Sequence, residues 1–379
     1  MVESLCLISD RQQQIIKLRN EKVLFLTLYT FSLTGGIEKV CRNLLQVLDN
    51  FKTRQKLGDY RNLALHDKIT KQNHKGYGGN KISFGLAALK ESFNADIIIL
   101  SHIHLLIFAR MIKLIKPQKR IILFAHGIEV WKPLKKWQQS FLNEIEIWAV
   151  SQYTAAQLHK VNGISGKNVM ILNNCLPLAP NDIATSKDTL RQKRHLLTGQ
   201  QAILTVCRLS SGEKYKGYDL VLLALKDLIK IYPNLRYFIV GAADDLEQKR
   251  VLKLVQDCRL EAHVTLTGYV PEAKIEEYYQ LADIFAMPSK GEGFGLVFLE
   301  AIAHGCKVLA GNSDGSSDAL LNGELGLLVD PDDGDAIYQA LLQLLKEPAS
   351  QELINERQQK VKRHFGFERY LEQVDELLF

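Results

Sequence analysis

Short aliphatic runs alternate along the chain with longer stretches in which apolar positions recur at three- and four-residue steps. The first pattern predicts buried strands and the second amphipathic helices, and their alternation predicts parallel α/β sheets. In the first half the strands fall at KVLFLTL from Lys22, RNLAL from Arg61, ADIIIL from Ala95, RIILFA from Arg120, EIWAV from Glu146 and NVMIL from Asn168. In the second they fall at AILTVC from Ala202, RYFIVG from Arg236, HVTLTG from His263, DIFAMP from Asp283, KVLA from Lys307 and LGLLV from Leu325. Two doubly wound domains follow, expected over 1–177 and 178–360, with a C-terminal helix over 361–379 packing back toward the first domain. The boundary is placed in the polar, proline-bearing segment from Asn173 to Arg194. Ligands of such sheets gather at the carboxyl ends of the strands, so a cleft between the halves is the expected active site.

Composition narrows the class. The 379 residues are 46% hydrophobic and 24% charged, which suits a soluble globular protein too long for one core. Cys6, Cys41, Cys175, Cys207, Cys258 and Cys306 are scattered without paired spacing, as expected of buried thiols in a reducing compartment. The N-terminal segment turns polar at Ser9-Asp10-Arg11, so no secretory signal is read. The most apolar window, IIILSHIHLLIFA from Ile97, is broken by His102 and His104 and falls short of the roughly 18 residues of a membrane span. These features predict a cytoplasmic protein without a transmembrane anchor, and no nucleic-acid partner is expected. Charge is uneven: residues 1–177 hold 25 Lys and Arg against 12 Asp and Glu, while 178–379 hold 23 against 30. The first half therefore faces something anionic or membrane-like, or simply presents a basic surface.

The chemistry concentrates in EGFGLVFLEA, from Glu292 to Ala301. It follows a strand that Pro288-Ser289-Lys290-Gly291 stops, and it runs into a helix that His304-Gly305 ends. Glu292 thus lies on a loop and Glu300 inside the helix. The backbone N–H groups of Phe294, Gly295 and Leu296 have no acceptor within that helix, which makes them a seat for an anion such as phosphate. Two acids beside a phosphate seat would repel it, so they are read as clamps on hydroxyl groups of the same ligand. A glycosidase acid–base pair is the competing reading, but a glycosidase has no use for the phosphate seat.

Other candidates sit at strand ends. In VCRLSSGEKYKGYDL, Arg208 and Lys216 could neutralise a diphosphate, with Lys214 as the alternative cation and a surface ion pair as the alternative for Arg208. Gly35 and Gly36 precede a helix and would let a ligand approach the backbone, or they simply make a tight turn. His126, in FAHGIEVW, follows the fourth strand and could donate to a sugar, as could His102 and His104 after the third. DPDDGD from Asp330 lacks the glycine placement and closing acid of a calcium loop, and Asp244-Asp245 reads likewise as a solvated turn.

Together these residues resemble the family 4 retaining glycosyltransferases of GT-B fold, over nearly the whole chain. The family's E-x7-E motif is matched by Glu292 and Glu300 within PSKGEGFGLVFLEAIAHG. The resemblance implies two Rossmann-like domains facing across a cleft, a nucleotide-sugar donor, and a lipid-linked or saccharide acceptor. It implies that Glu292 meets the donor sugar's hydroxyls and Glu300 the ribose, with Phe294, Gly295 and Leu296 offering backbone donors. Arg208 and Lys216 would hold the diphosphate, Gly35-Gly36 close over it, and His126 face the transferred sugar. Val270, in LTGYVP, matches the segment that borders the nucleobase. Retention of configuration without a metal or other cofactor is expected. In two places the chain departs from the family: Lys307 stands where proline is usual, in HGCKVLAG, and Asp318 of DGSSDAL stands where a glutamate is expected. Residues 1–21 exceed the family's usual start. A synthase acting on a sugar phosphate, a nucleotide-sugar epimerase and a non-catalytic nucleotide-sugar binder share the architecture. The basic first half, with RMIKLIKPQKR from Arg110 and EVWKPLKKWQQSF from Glu129, is expected to dock on an anionic membrane surface at its cytoplasmic face.

Overall fold

The computed structural model describes residues 20–176, 186–194, 196, 199–348 and 350–379. The expected boundary at 177/178 and residues 1–19 lie outside these. All the expected strands form. In chain order the first sheet contains β1 (Lys22–Thr27), β2 (Asp59–Ala64), β3 (Thr70–Lys71), β4 (His74–Gly76), β5 (Ile97–Leu100), β6 (Arg120–Ala125), β7 (Glu146–Ala149) and β8 (Val169–Ile171). Their order across the sheet is β3-β4-β2-β1-β5-β6-β7-β8. β1 pairs in parallel with β2 and β5, so Val23 lies opposite both Tyr60 and Ile97. All four residues of β5 are buried, as in a strand covered on both faces. β3 and β4 pair antiparallel and form a short hairpin that no apolar pattern announces.

The second sheet contains β9 (Ala202–Val206), β10 (Arg236–Val240), β11 (Val264–Leu266), β12 (Ile284–Met287), β13 (Lys307–Gly311) and β14 (Leu327–Val329), in the order β11-β10-β9-β12-β13-β14. Every pair is parallel. This is the dinucleotide-binding order, in which the chain winds one way from β9 and the other way from β12. The topological switch point, and the crevice that goes with it, therefore lies at the carboxyl ends of β9 and β12. Apolar side chains of one face of this sheet and of the helices packed on it close a core around Tyr218 and Tyr237, each fully buried. Burial obliges their hydroxyls to find partners. Tyr237 reaches Thr205 at 2.7 Å, and Tyr218 donates to Glu247 at 2.5 Å, where Arg250 also pairs.

By contacts, one unit runs to Ala125 and resumes over Lys135–Trp148; the other takes His126–Leu134 and Ala149–Phe379. The segment after the fourth strand thus joins the second unit, for reasons visible at Gly127 and Asp318 below. The acidic turns read as solvated are helix caps. Asp333 accepts the Ala336 N–H at 2.9 Å. Asp244 accepts those of Glu247 and Ser211, which hold its carboxyl down to about 2.

Candidate active site

The loops that leave β9 and β12 are stitched together by backbone and glycines. Gly217 has φ 76°, and a Cβ there would come within 2.3 Å of the Pro288 carbonyl oxygen, so only glycine lets the first loop cross the end of β12. Lys290 N–H donates to the Tyr215 carbonyl at 2.9 Å, and the Tyr215 ring lies on Gly291. The crossing sets Lys216 against Glu292. Lys216 Nζ forms an ion pair and hydrogen bond with Glu292 Oε1, with side chains only 16% and 14% exposed. Burial by itself would lower the lysine, but the facing carboxylate more than reverses that and holds the ammonium well above its ordinary range. The pair is a fixed charge couple at the switch point.

Arg208 shares the first loop but is placed differently. Its side chain is 70% exposed, and it forks onto Glu213: Nε donates to Oε2 at 3.2 Å and Nη2 to Oε1. The two cations expected to act together are therefore distinct, one buried on Glu292 and one outward on Glu213.

Behind Glu292 stands an acid that the sequence pattern did not single out. Asp314, 1% exposed, accepts the Glu292 N–H at 2.7 Å and the Ser316 N–H at 2.9 Å, while the Glu292 carbonyl takes the Gly315 N–H at 2.8 Å. Burial pushes the Asp314 carboxyl up to about 6; those hydrogen bonds pull it down and the charge of Glu292 adds to the rise. An Asp-Gly pair just past β13 was the available signal. Asp318 instead accepts the Gln152 N–H at 2.8 Å, capping the helix Gln152–Asn162. Burial raises its carboxyl, against the pull of the Gln152 and Tyr153 N–H groups.

His126 reaches this loop through its backbone. Gly127 has φ 146° and lies so close that a Cβ on it would stand 2.8 Å from the Gly293 Cα; a Cβ on Gly293 would stand 1.6 Å from the His126 carbonyl oxygen. Two glycines meet because neither carries a side chain. The His126 N–H in turn donates to Glu129 Oε1 at 2.6 Å, which fixes the turn that leaves β6.

The helix Leu296–Ala303 begins at Gly295, with φ 96° and no side-chain cap for its first N–H groups. Phe294 is buried edge-on against Phe365 at 5.4 Å, which anchors the loop from below. Glu300 accepts a hydrogen bond from the Tyr279 hydroxyl at 2.9 Å. Tyr279 is buried, and burial followed by the charge of Glu300 drives its hydroxyl far from ionisation, so it remains a donor. It comes from the helix Glu272–Leu281, and no motif marks it.

The other expected residues scatter. Val270 is half-buried beyond β11. Beside it, a cavity of about 230 Å³ is lined by Leu209, Gly241, Ala242, Gln248, Gly268 and Tyr269, at the carboxyl ends of β9, β10 and β11. In the first unit Gly35 caps the helix Gly36–Thr53, and a Cβ at Gly36 would meet nothing within 4 Å. The loop before them is held from both sides. Buried Asp67 accepts the N–H groups of Thr30, Phe31 and Ser32 at 3.1, 3.0 and 3.2 Å, and Arg42 donates to the carbonyls of Thr30 and Leu33 at 3.1 Å. His102 Nδ1 accepts the His104 N–H at 3.1 Å, a capping role.

Residues 186–361 match the family described as glycosyl transferases group 1. This region belongs to that family. Across a wider stretch the chain is 30% identical over 243 residues to the GDP-mannose-dependent alpha-(1-6)-phosphatidylinositol monomannoside mannosyltransferase of Mycolicibacterium smegmatis, covering 61% of this chain and 62% of that protein. The protein of the same description from Mycobacterium tuberculosis H37Rv is 31% identical over 241 residues, 60% of each. The chain thus spans about three-fifths of the length of these curated relatives. Among solved structures, HepE of Anabaena in complex with UDP superposes with TM-score 0.76 at 18% identity, over 94% of this chain and 99% of that one. WaaG, a glycosyltransferase involved in lipopolysaccharide biosynthesis, gives 0.67 at 16% identity, over 93% and 99%. At such identities the likeness is one of fold, and that fold is GT-B.

Proposed function

We propose that the chain is a retaining glycosyltransferase that moves a sugar from a nucleotide-sugar donor to a lipid-linked or saccharide acceptor. The observation that carries this reading is the part-buried Lys216–Glu292 couple beside the N-terminus of Leu296–Ala303. A cation and a helix end in one place are what a departing diphosphate needs, and the carboxylate gives the donor sugar's hydroxyls an acceptor. An ammonium has three N–H groups, so Lys216 can take a phosphate oxygen while it keeps Glu292. Fixed positive charge then does the work that a divalent cation does elsewhere, and no metal step is required. Glu300, oriented by Tyr279, offers lone pairs to ribose hydroxyls, Val270 borders the base, and His126 faces the sugar. Arg208 completes the hold on the diphosphate.

The two carboxylates are expected to separate in kinetics. Glu300→Ala should chiefly raise the donor KM and Glu292→Ala chiefly lower kcat, because only Glu292 meets the reacting sugar. Steady-state rates with a panel of nucleotide sugars and a membrane extract as acceptor measure both. Equal effects on both constants would remove the assignment.

The mannosyltransferase relatives, by their names, act on a phosphatidylinositol mannoside, which supports a lipid-linked acceptor here. No helix among the described residues is long and apolar enough to cross a membrane. Support for docking comes from the helix Leu106–Ile115, which leaves Ile107, Met111, Leu114 and Ile115 exposed beside Arg110, Lys113 and Lys116. The tryptophans contribute less than their positions suggested: Trp131 is half-buried against Tyr153 and donates to Thr154 at 3.3 Å, and Arg110 covers Trp137. Vesicle co-sedimentation tests it. Binding should require anionic lipid, fall as salt rises, and weaken when Lys132, Lys135 and Lys136, all exposed, are changed together to Glu. Equal sedimentation with neutral vesicles would point to a soluble acceptor.

A further inference from the structure

A cavity of about 360 Å³ opens at the opposite end of the second sheet. Gln201, Asp283 and Lys307 line it, and each stands at the first residue of β9, β12 or β13 or just before it. Lys216 and Glu292 follow the other ends of β9 and β12, so a strand's length, roughly 15 Å, separates the two places. The cavity is not the donor site.

Its wall carries four cations, Lys187, Arg191, Lys307 and Arg357, against three acids, Asp188, Asp283 and Glu347. Two of the acids are already engaged. Asp283 accepts from Lys187 at 3.0 Å, Arg191 at 3.2 Å and the Ala202 N–H at 2.9 Å, and Glu347 accepts from Arg357 at 3.2 Å. Lys307 donates to carbonyls, those of Leu344 at 2.5 Å and Glu347 at 2.6 Å, and its third N–H leaves capacity for another acceptor. Burial holds this ammonium below the ordinary lysine range, with Arg357 and Lys187 pressing the same way against the pull of Glu347 and Asp283. A bound anion would relieve that strain. Lys307 is also the residue that stands where the resembling family has proline.

We propose that this cavity binds a small phosphate monoester, its phosphate held by Lys307, Arg357 and Lys187. The volume suits a ligand of sugar-phosphate size. The helix Gln351–Phe365 forms one wall through Leu353, Ile354 and Arg357, and its last residue is the Phe365 that packs under Phe294. An occupant therefore bears on the same helix that backs the donor loop.

Calorimetric titration of the full chain with inorganic phosphate, glucose 6-phosphate and glucose tests this without reference to transferase activity. Both phosphates should bind saturably at one per chain, and glucose should not. Binding should persist in Lys216→Ala, weaken about tenfold or more in Lys307→Met and in Arg357→Gln, and return in Lys307→Arg. Unfolding midpoints of the unliganded variants identify any that fail to fold, in which case Arg357→Gln and Lys187→Gln carry the comparison. The proposal is overturned by absence of saturable binding, by glucose binding as well as its phosphate, or by binding that Lys216→Ala abolishes and Arg357→Gln leaves intact.

Discussion

Lys216→Ala is expected to lower kcat/KM for sugar transfer by about 10²–10³-fold, the size of effect seen when a fixed donor to developing negative charge is removed. Arg208→Ala should cost about tenfold. The difference follows from placement: Lys216 is buried on Glu292, whereas Arg208 is exposed and must leave Glu213 before it can reach a phosphate. Lys216→Ala also leaves a part-buried carboxylate without its cation, so its unfolding midpoint should fall as well. Lys216→Arg keeps the charge and should recover part of both losses. Steady-state kinetics on the three variants, with and without a chelator, decides the matter. Transfer that Arg208→Ala impairs as severely as Lys216→Ala would break the ranking, and wild-type activity lost to the chelator and restored by magnesium would require a metal.

The second large effect is expected from a single methyl group. Gly293→Ala should reduce kcat by about 10²-fold, because a Cβ would stand 1.6 Å from the His126 carbonyl oxygen and no rotamer can relieve a clash with backbone. The two loops must part by something near 1 Å, a displacement of the size that costs about this much in a positioned reaction. Gly166→Ala is the matched control, since a Cβ there meets nothing within 4 Å. Normal turnover in Gly293→Ala would mean that contact between the loops has no part in transfer.

Most of the sheet strands were legible because they are short apolar runs, as IIIL of β5 and RIILFA of β6 are, and a parallel strand covered on both faces favours such runs. The β3–β4 hairpin was not, since TK and HKG offer neither alternation nor length. Within the site, the loop and helix from Glu292 to Glu300 were readable from punctuation alone: proline and glycines before, glycine after. What the pattern could not supply was partnership. Nothing in the spacing of Arg208 and Glu213 shows that they pair, nothing marks Tyr279, and Asp314 carries only a glycine after it; Tyr279 comes from another helix and Asp314 from the loop after β13, and both meet the site only in three dimensions. Asp318 was legible as an acid but not as the cap of a helix that starts far earlier in the chain.

The ring contact between Phe294 and Phe365 bears on where the folded unit around Glu292 ends. The family match stops at residue 361, whereas the aromatic ring beneath the Glu292–Gly295 loop sits just beyond it, and the Phe365 carbonyl also accepts the Leu176 N–H at 2.9 Å. A fragment cut to the limits of the match would keep every residue of the loop and lose its floor. The working unit is longer at both ends than its signature, and a fragment intended for expression or crystallisation has to include the whole of Gln351–Phe365 and the segment reaching back to Leu176.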